Sequence, residues 1–247
     1  MAPVIEANNL GIRFHRNRKR RISVREILLK GKNTSPREQF WAVRNATFSV
    51  EKGEAVGLVG ANGHGKSTLL KMIAGVLLPD EGDVTVRGGV APLIEITGGF
   101  QGQLSARENV YLIAGLHGMS KKQVDERFDE IIDFAELHKF IDTPFRHFSS
   151  GMKVRLAFSV VTALDEPIVL VDEVLAVGDS KFKQKCYNRL DEMMAGGDRT
   201  IFMVSHSERN LRRFCTRGLY VRHGEIVADG SIEDTLDAYN AYMDTDA

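Results

Sequence analysis

The chain has 247 residues, with 33 lysines and arginines against 33 aspartates and glutamates, so it holds one large or two small domains and has no net charge that argues for nucleic acid. No apolar run approaches the roughly 20 residues that span a bilayer, and the N-terminus lacks a signal-peptide core; a cytoplasmic protein is expected, with any membrane role exercised through a partner. Its only cysteines, Cys186 and Cys215, have no second ligand at metal spacing, which points to buried thiols in a reducing compartment and to no zinc site.

Residues 4–14 alternate as a first strand. From His15 to Glu38 the composition turns basic: Arg16, Arg18, Lys19, Arg20, Arg21, Arg25, Lys30, Lys32 and Arg37 stand against Glu26 and Glu38. Within this segment Ile22, Val24, Ile27, Leu28 and Leu29 suit a short amphipathic helix. Two readings stay open for it, a surface for anionic headgroups or a partner, and a solvated loop.

Residues 40–50 are strand-rich, and Glu51-Lys52-Gly53-Glu54 turns the chain into the apolar run Ala55-Val56-Gly57-Leu58-Val59. There follows Gly60-Ala61-Asn62-Gly63-His64-Gly65-Lys66-Ser67, with Thr68 next, which fits GxxxxGK[ST]. Small residues let successive backbone N–H groups curl around a polyphosphate, Lys66 reaches the outer phosphates, and Ser67 ligates Mg²⁺. Residues 69–74 continue as a helix whose positive end faces the anion. Strand, glycine-rich turn and helix together make residues 60–68 the candidate nucleotide cradle. His64 stands where a small residue is usual and reads as a tolerated variant.

Residues 79–82 turn the chain into a strand at 83–87. Helical texture then prevails: 106–116, 121–135, a break at Thr143-Pro144, and 151–164. Val124, Phe128, Ile131, Ile132 and Ala135 recur at helical spacing and belong to a core. The expected organisation is a single domain, an α/β lobe of residues 1–97 and 165–247 with a helical lobe, 98–164, inserted in it and the basic insertion at 15–38.

Residues 168–171 form an apolar run suited to a buried parallel strand, ending at Asp172 and Glu173, where open α/β sheets place ligand-binding groups. Phosphoryl chemistry needs two roles there, and we assign Asp172 to holding Mg²⁺ and Glu173 to orienting the attacking water. A helix at 181–194, a Gly196-Gly197 stop and a strand at 200–206 follow. His206 at that strand's end is a candidate γ-phosphate contact. Residues 219–222 and 225–229 flank His223-Gly224 as a hairpin, and 232–242 read as an acidic helix. Asn188-Arg189-Leu190-Asp191 mimics a guanine-reading motif but lies inside a helical segment, which argues against a GTPase.

Phe148-Ser149-Ser150-Gly151-Met152-Lys153-Val154-Arg155-Leu156-Ala157-Phe158, just ahead of the acid strand, resembles the Leu-Ser-Gly-Gly-Gln signature of the ATP-binding cassette of transporters. Ser149 and Gly151 match its serine and second glycine; Ser150 and Met152 replace its first glycine and its glutamine. The resemblance covers nearly the whole chain. It implies a P-loop NTPase fold with an inserted helical subdomain and an N-terminal antiparallel β subdomain. It also implies ATP held between two copies, with Ser149, Ser150 and Gly151 of one serving the γ-phosphate bound by the other. Asp179 in Ala176-Val177-Gly178-Asp179 takes the place of the inter-subunit aspartate, and Arg107-Glu108-Asn109 lies where such cassettes have it. The glutamine expected between the lobes is not evident in Pro92-Leu93-Ile94-Glu95-Ile96-Thr97-Gly98-Gly99-Phe100; Glu95 or Ile96 falls nearest. Adenine stacks on an aromatic residue in such cassettes. Phe14 is favoured here and Trp41 is second, with Phe40 also suitable by type.

The Ser-Ser-Gly-Met signature, residues 173–179 and Gln39-Phe40-Trp41-Ala42-Val43 are similar to the branch that exports O-antigen, teichoic acid or other lipid-linked glycans, cell-wall galactan among them. That likeness implies an ATPase homodimer on the cytoplasmic face of the membrane, coupled to an integral membrane permease and meeting the glycan only through it. Members with a C-terminal carbohydrate-recognition domain extend further than this sequence, so glycan recognition is expected in the permease or lipid carrier. A soluble cassette ATPase of translation or DNA maintenance is the alternative.

Overall fold

The computed structural model describes residues 2–15, 39–94, 96–172 and 179–245. The basic stretch with its expected short helix, Glu95, and the segment from Glu173 to Gly178 lie outside them.

Strands β1 (Ile5–His15), β2 (Gln39–Val50) and β4 (Glu81–Val86) form an antiparallel sheet in the order β2-β1-β4. Asn9 and Asn45 take left-handed φ values of 48° and 51° where the β1–β2 register shifts, a conformation asparagine tolerates. The second sheet has the order β5-β6-β7-β3-β8-β9. It comprises β3 (Ala55–Val59), β5 (Val90–Leu93), β6 (Ile168–Val171), β7 (Thr200–Val204), β8 (Arg217–Arg222) and β9 (Glu225–Ser231). Its pairings are parallel apart from the β8–β9 hairpin. Every residue of β3, β6 and β7 is buried, as expected of strands covered on both faces.

Alternation along these strands divides the interior. Val56, Leu58, Leu170 and Phe202 face the small sheet and helix α1 (Lys66–Ile73), joining Ile5, Leu10, Val50, Leu69 and Leu70 in one core. Phe48 stacks on Phe202 at 5.8 Å between the two sheets. Val59, Val169, Val171 and Met203 face the other way, toward α4 (Ser150–Thr162), α5 (Ser180–Ala195), α6 (Glu208–Phe214) and α7 (Ile232–Thr245). A third core lies among α2 (Ala106–Leu116), α3 (Lys121–Ala135) and α4. Helix α4 serves two cores: Ala157, Phe158 and Val161 pack on the sheet, while Leu156 and Val160 pack among the helices.

Helices α2 and α3 lie where the sequence predicts them, each opened by a capping box, Ser105 with Glu108 and Ser120 with Gln123. Two elements were not expected. Strand β5 is short and contains Pro92, and it exists through parallel pairing with β6. Helix α6 begins where the expected strand at 200–206 has already ended, because Val204 is its last residue and Ser207 caps the new helix. Cys186 and Cys215 are buried, which pushes both thiols up to about 12 and keeps them protonated and unreactive.

Candidate nucleotide-binding site

Strand β3 delivers the phosphate loop from the middle of the large sheet, pinned between β7 and β8. Gly60 and Gly65 have φ of 151° and 100°, and a Cβ on either would lie 2.3 Å from the Val221 carbonyl oxygen or 2.2 Å from that of Ala42. Glycine is required at both by hand and by space. Gly65 is also the N-cap of α1 and offers no side-chain oxygen to its first-turn amides. Those N–H groups, with the positive end of the helix dipole, make an anion cradle. Lys66 is buried, and its Nζ donates to the carbonyls of Gly60 at 2.7 Å and Ala61 at 3.0 Å, so the ammonium is held inside the loop it is to serve.

A cleft of about 250 Å³ opens over this loop. Asn62, Gly63, Gly65, Lys66, Ser67 and Thr68 line one side, and Phe14, Phe40 and Ala42 the other. Phe14 pairs with Phe40 in the β1–β2 register, their ring centroids 6.1 Å apart. Trp41, one residue on, pairs with Arg13 and lies between the guanidinium groups of Arg13 and Arg44 at 5.6 and 5.2 Å. Among the three aromatic candidates the strand alternation therefore brings Phe14 and Phe40 to the cleft and leaves Trp41 outside its lining. Gly60, Ala61 and His64 do not line it either. His64 instead lies against the β8–β9 turn, its ring 4.5 Å from that of His223.

Asp172 and His206 share a separate hollow of about 130 Å³ at the carboxyl ends of β6 and β7, with Lys183, Tyr187 and Asn210. Asp172 donates its backbone N–H to Leu93 O at 3.3 Å, which fixes the acid at the strand end. Ser67 lies in the larger cleft. The donor set of Ser67 hydroxyl and Asp172 carboxylate is all oxygen and small, which fits Mg²⁺, a cation bound by one or two protein groups plus phosphate and water. Among the described residues no group of three or more His, Cys, Asp or Glu side chains could hold a metal by itself. Glu173 lies outside the described residues.

Ser149, Ser150 and Gly151 open α4 and line no part of the cleft. The Ser149 hydroxyl accepts from Met152 N at 3.2 Å and is the helix N-cap; its own O–H remains available to donate. Asp179 caps α5, accepting from Phe182 N at 2.8 Å, and forms an ion pair with Arg155 of α4. The Phe182 amide first, and Arg155 after it, hold the Asp179 carboxyl below its usual range. Arg155 also pairs with Glu136 at 2.8 Å, at the end of α3. This Arg155 bridge between three helices was not anticipated from sequence, because Glu136 and Asp179 are brought to it only by the packing of α3 and α5 on α4.

Comparison with known proteins gives a consistent result. Residues 43–176 match the family described as "ABC transporter". The chain is 43% identical to the O-antigen export system ATP-binding protein RfbB of Klebsiella pneumoniae over 216 residues, covering 87% of this chain and 85% of that protein. It is 41% identical to the teichoic acids export ATP-binding protein TagH of Bacillus anthracis over 206 residues, 83% of this chain and 37% of that longer protein. Its fold matches a dimeric ATP-binding cassette in a post-hydrolysis state bound to ADP and Pi, with a TM-score of 0.73 and 24% identity over 92% of this chain and 98% of that one.

Proposed function

Because this chain belongs to the ABC transporter family, whose cassettes are ATPases coupled to transport, we propose that it powers the export of a lipid-linked cell-surface polysaccharide of O-antigen, teichoic acid or cell-wall galactan type. One observation carries the cargo class: the 43% identity to an O-antigen export ATP-binding protein extends over 87% of the chain. The relatives favour this reading over a soluble ATPase of translation or DNA maintenance. The partner is an integral membrane permease, which alone meets the glycan, and the chain works against it from the cytoplasmic face. No helix among the described residues is long and apolar enough to cross a membrane.

Two copies face head to tail, each ATP lying between residues 60–68 of one and Ser149, Ser150 and Gly151 of the other. The exposure of Ser149 and Ser150 and their absence from the lining of their own cleft support that division of labour. Phe14 stacks on adenine, with Phe40 beside it. Lys66 transfers its hydrogen bonds from the loop carbonyls to the outer phosphates, and Thr68 and the loop amides hold the inner ones. Ser67 and Asp172 would hold a magnesium ion, which when bound would neutralise phosphate charge. Glu173 orients the attacking water and accepts its proton, while His206 donates a hydrogen bond to the γ-phosphate and Asp179 belongs to the contact between copies. Closed pairs bind ATP better than open ones, so ATP shifts the equilibrium toward closure and loss of the γ-phosphate reverses it.

Glu173→Gln tests the assignment. ATP binding is expected to survive, hydrolysis to fall by about 100-fold or more, and ATP to trap a dimer by size-exclusion chromatography; full turnover in this variant removes Glu173 from its role. Copurification of the tagged chain from detergent-solubilised membranes is expected to recover an integral membrane protein. Recovery with ribosomes or DNA instead overturns export.

A further inference from the structure

His64 departs from the small residue usual at its place in the loop, and its surroundings are specific. Gly224 N donates to His64 O at 3.1 Å, and Arg44 N donates to Gly224 O at 2.8 Å, so the β8–β9 turn is gripped between the phosphate loop and β2. A Cβ on Gly224 would lie 2.8 Å from Ala42 O, and one on Gly60 would lie 2.3 Å from Val221 O. The His64 imidazole faces the Val221 backbone, and its ring is tilted at 47° to that of His223 with centroids 4.5 Å apart. Its Nδ1 is buried and has no hydrogen-bond partner among the described residues. A neutral ring that donates through one nitrogen leaves the other as a lone pair, which burial tolerates better than an unmatched N–H.

We propose that His64 and His223 are positioning residues for ATP binding: a neutral His64 ring packed on that of His223 seats the phosphate loop on the β8–β9 turn in its anion-cradling shape, and protonation of His64 unseats it. The inference rests on the reading of residues 60–68 as the ATP cradle. Protonating Nδ1 of His64 creates a buried N–H with no acceptor among the described residues, beside cationic side chains. Lys66 faces it from the head of α1, and Arg222 and His223 face it from the hairpin. From β2 the neighbouring charge is Arg44, whose guanidinium lies over Trp41. Burial first, then His223 and Lys66, hold His64 below its ordinary value of 6.5. As pH falls below that value the unseated loop takes up a proton before the seated one, so the seated state loses stability toward acid.

The test uses the full chain, with ATP affinity measured by calorimetry in EDTA from about pH 7.5 to 5.5, a span that brackets ordinary histidine titration. ATP itself titrates in this range, so curves are compared between variants. His64→Ala restores the usual small residue. His223→Asn keeps a side chain suited to the φ of 50° at that position. The wild-type Kd is expected to weaken about tenfold more than that of either variant across this range. Parallel curves for wild type and both variants overturn the inference. NMR titration of the His64 imidazole, without nucleotide, is expected to show its midpoint move up when His223 is replaced; an unmoved midpoint also overturns it. Should the wild type bind no ATP at pH 7.5, the ATPase reading falls, and the ring titrations still decide whether the pair is coupled.

Discussion

Gly65 and Gly63 share a left-handed backbone, with φ of 100° and 79°, but differ in what surrounds them. A Cβ at Gly63 meets nothing within 4 Å, whereas one at Gly65 lies 2.2 Å from Ala42 O and 3.2 Å from Val43 Cγ2. Gly63→Ala is therefore expected to cost only backbone strain, about 1 kcal/mol. Gly65→Ala adds a collision that β2 must absorb, for a total of about 2–4 kcal/mol and a lost ATP site. Urea midpoints and ATP titrations of the two variants check this, and equal effects count against it. Motif spacing predicts the glycines but not the carbonyls behind them, since Ala42 and Val221 come from strands far away in the sequence. Of the aromatic wall, the sequence favours Phe14, while it ranks Trp41 above Phe40 for a related reason. Period-two alternation separates Phe40 from Trp41 only once the β1–β2 register is known, and the long segment between those strands hides it.

At the scale of elements, helix α4 connects the sheet core, through Phe158 and Val161, to the helical core, through Leu156 and Val160. Its N-terminus rests on the Ser149 cap. Ser149→Ala is expected to lose that cap, about 1 kcal/mol, together with hydrolysis. Ser149→Asp keeps an N-cap acceptor but sets a carboxylate where the opposite copy's γ-phosphate is to lie, so stability is retained while hydrolysis falls at least about tenfold. Thermal melts beside phosphate-release assays separate the two effects; an Asp variant with normal turnover sinks the trans role of Ser149. Local signals made α2 and α3 readable, because Ser105-x-x-Glu108 and Ser120-x-x-Gln123 mark their starts and apolar positions recur at helical spacing. Strand β5 had no such signal, and helix α6 had only its Ser207 cap. The first is a four-residue stretch with a proline, defined by its partner β6, and the second is a seven-residue helix held by Leu211 and Phe214.

For the whole molecule, the α/β class was legible because buried parallel strands carry continuous apolar runs, as in Ala55–Val59 and Ile168–Val171. Strand order was not legible, since it depends on which neighbours β3 takes up. Those neighbours are β7 and β8, both from the last fifth of the chain, and the turn that carries His223 follows directly. This late completion has a consequence during synthesis. While a ribosome is still making residues beyond the helical region, β3 has neither of its flanking strands and the loop lacks Val221 and Gly224 beneath it. ATP cannot then act as an early folding ligand. Ribosome-bound chains stalled before residue 217 are expected to pass through an ATP-agarose column that retains the released chain; retention of the stalled chains would show that the loop assembles without its floor. The nucleotide motif emerges long before residue 200, and its affinity arrives only once β7 and β8 have followed it.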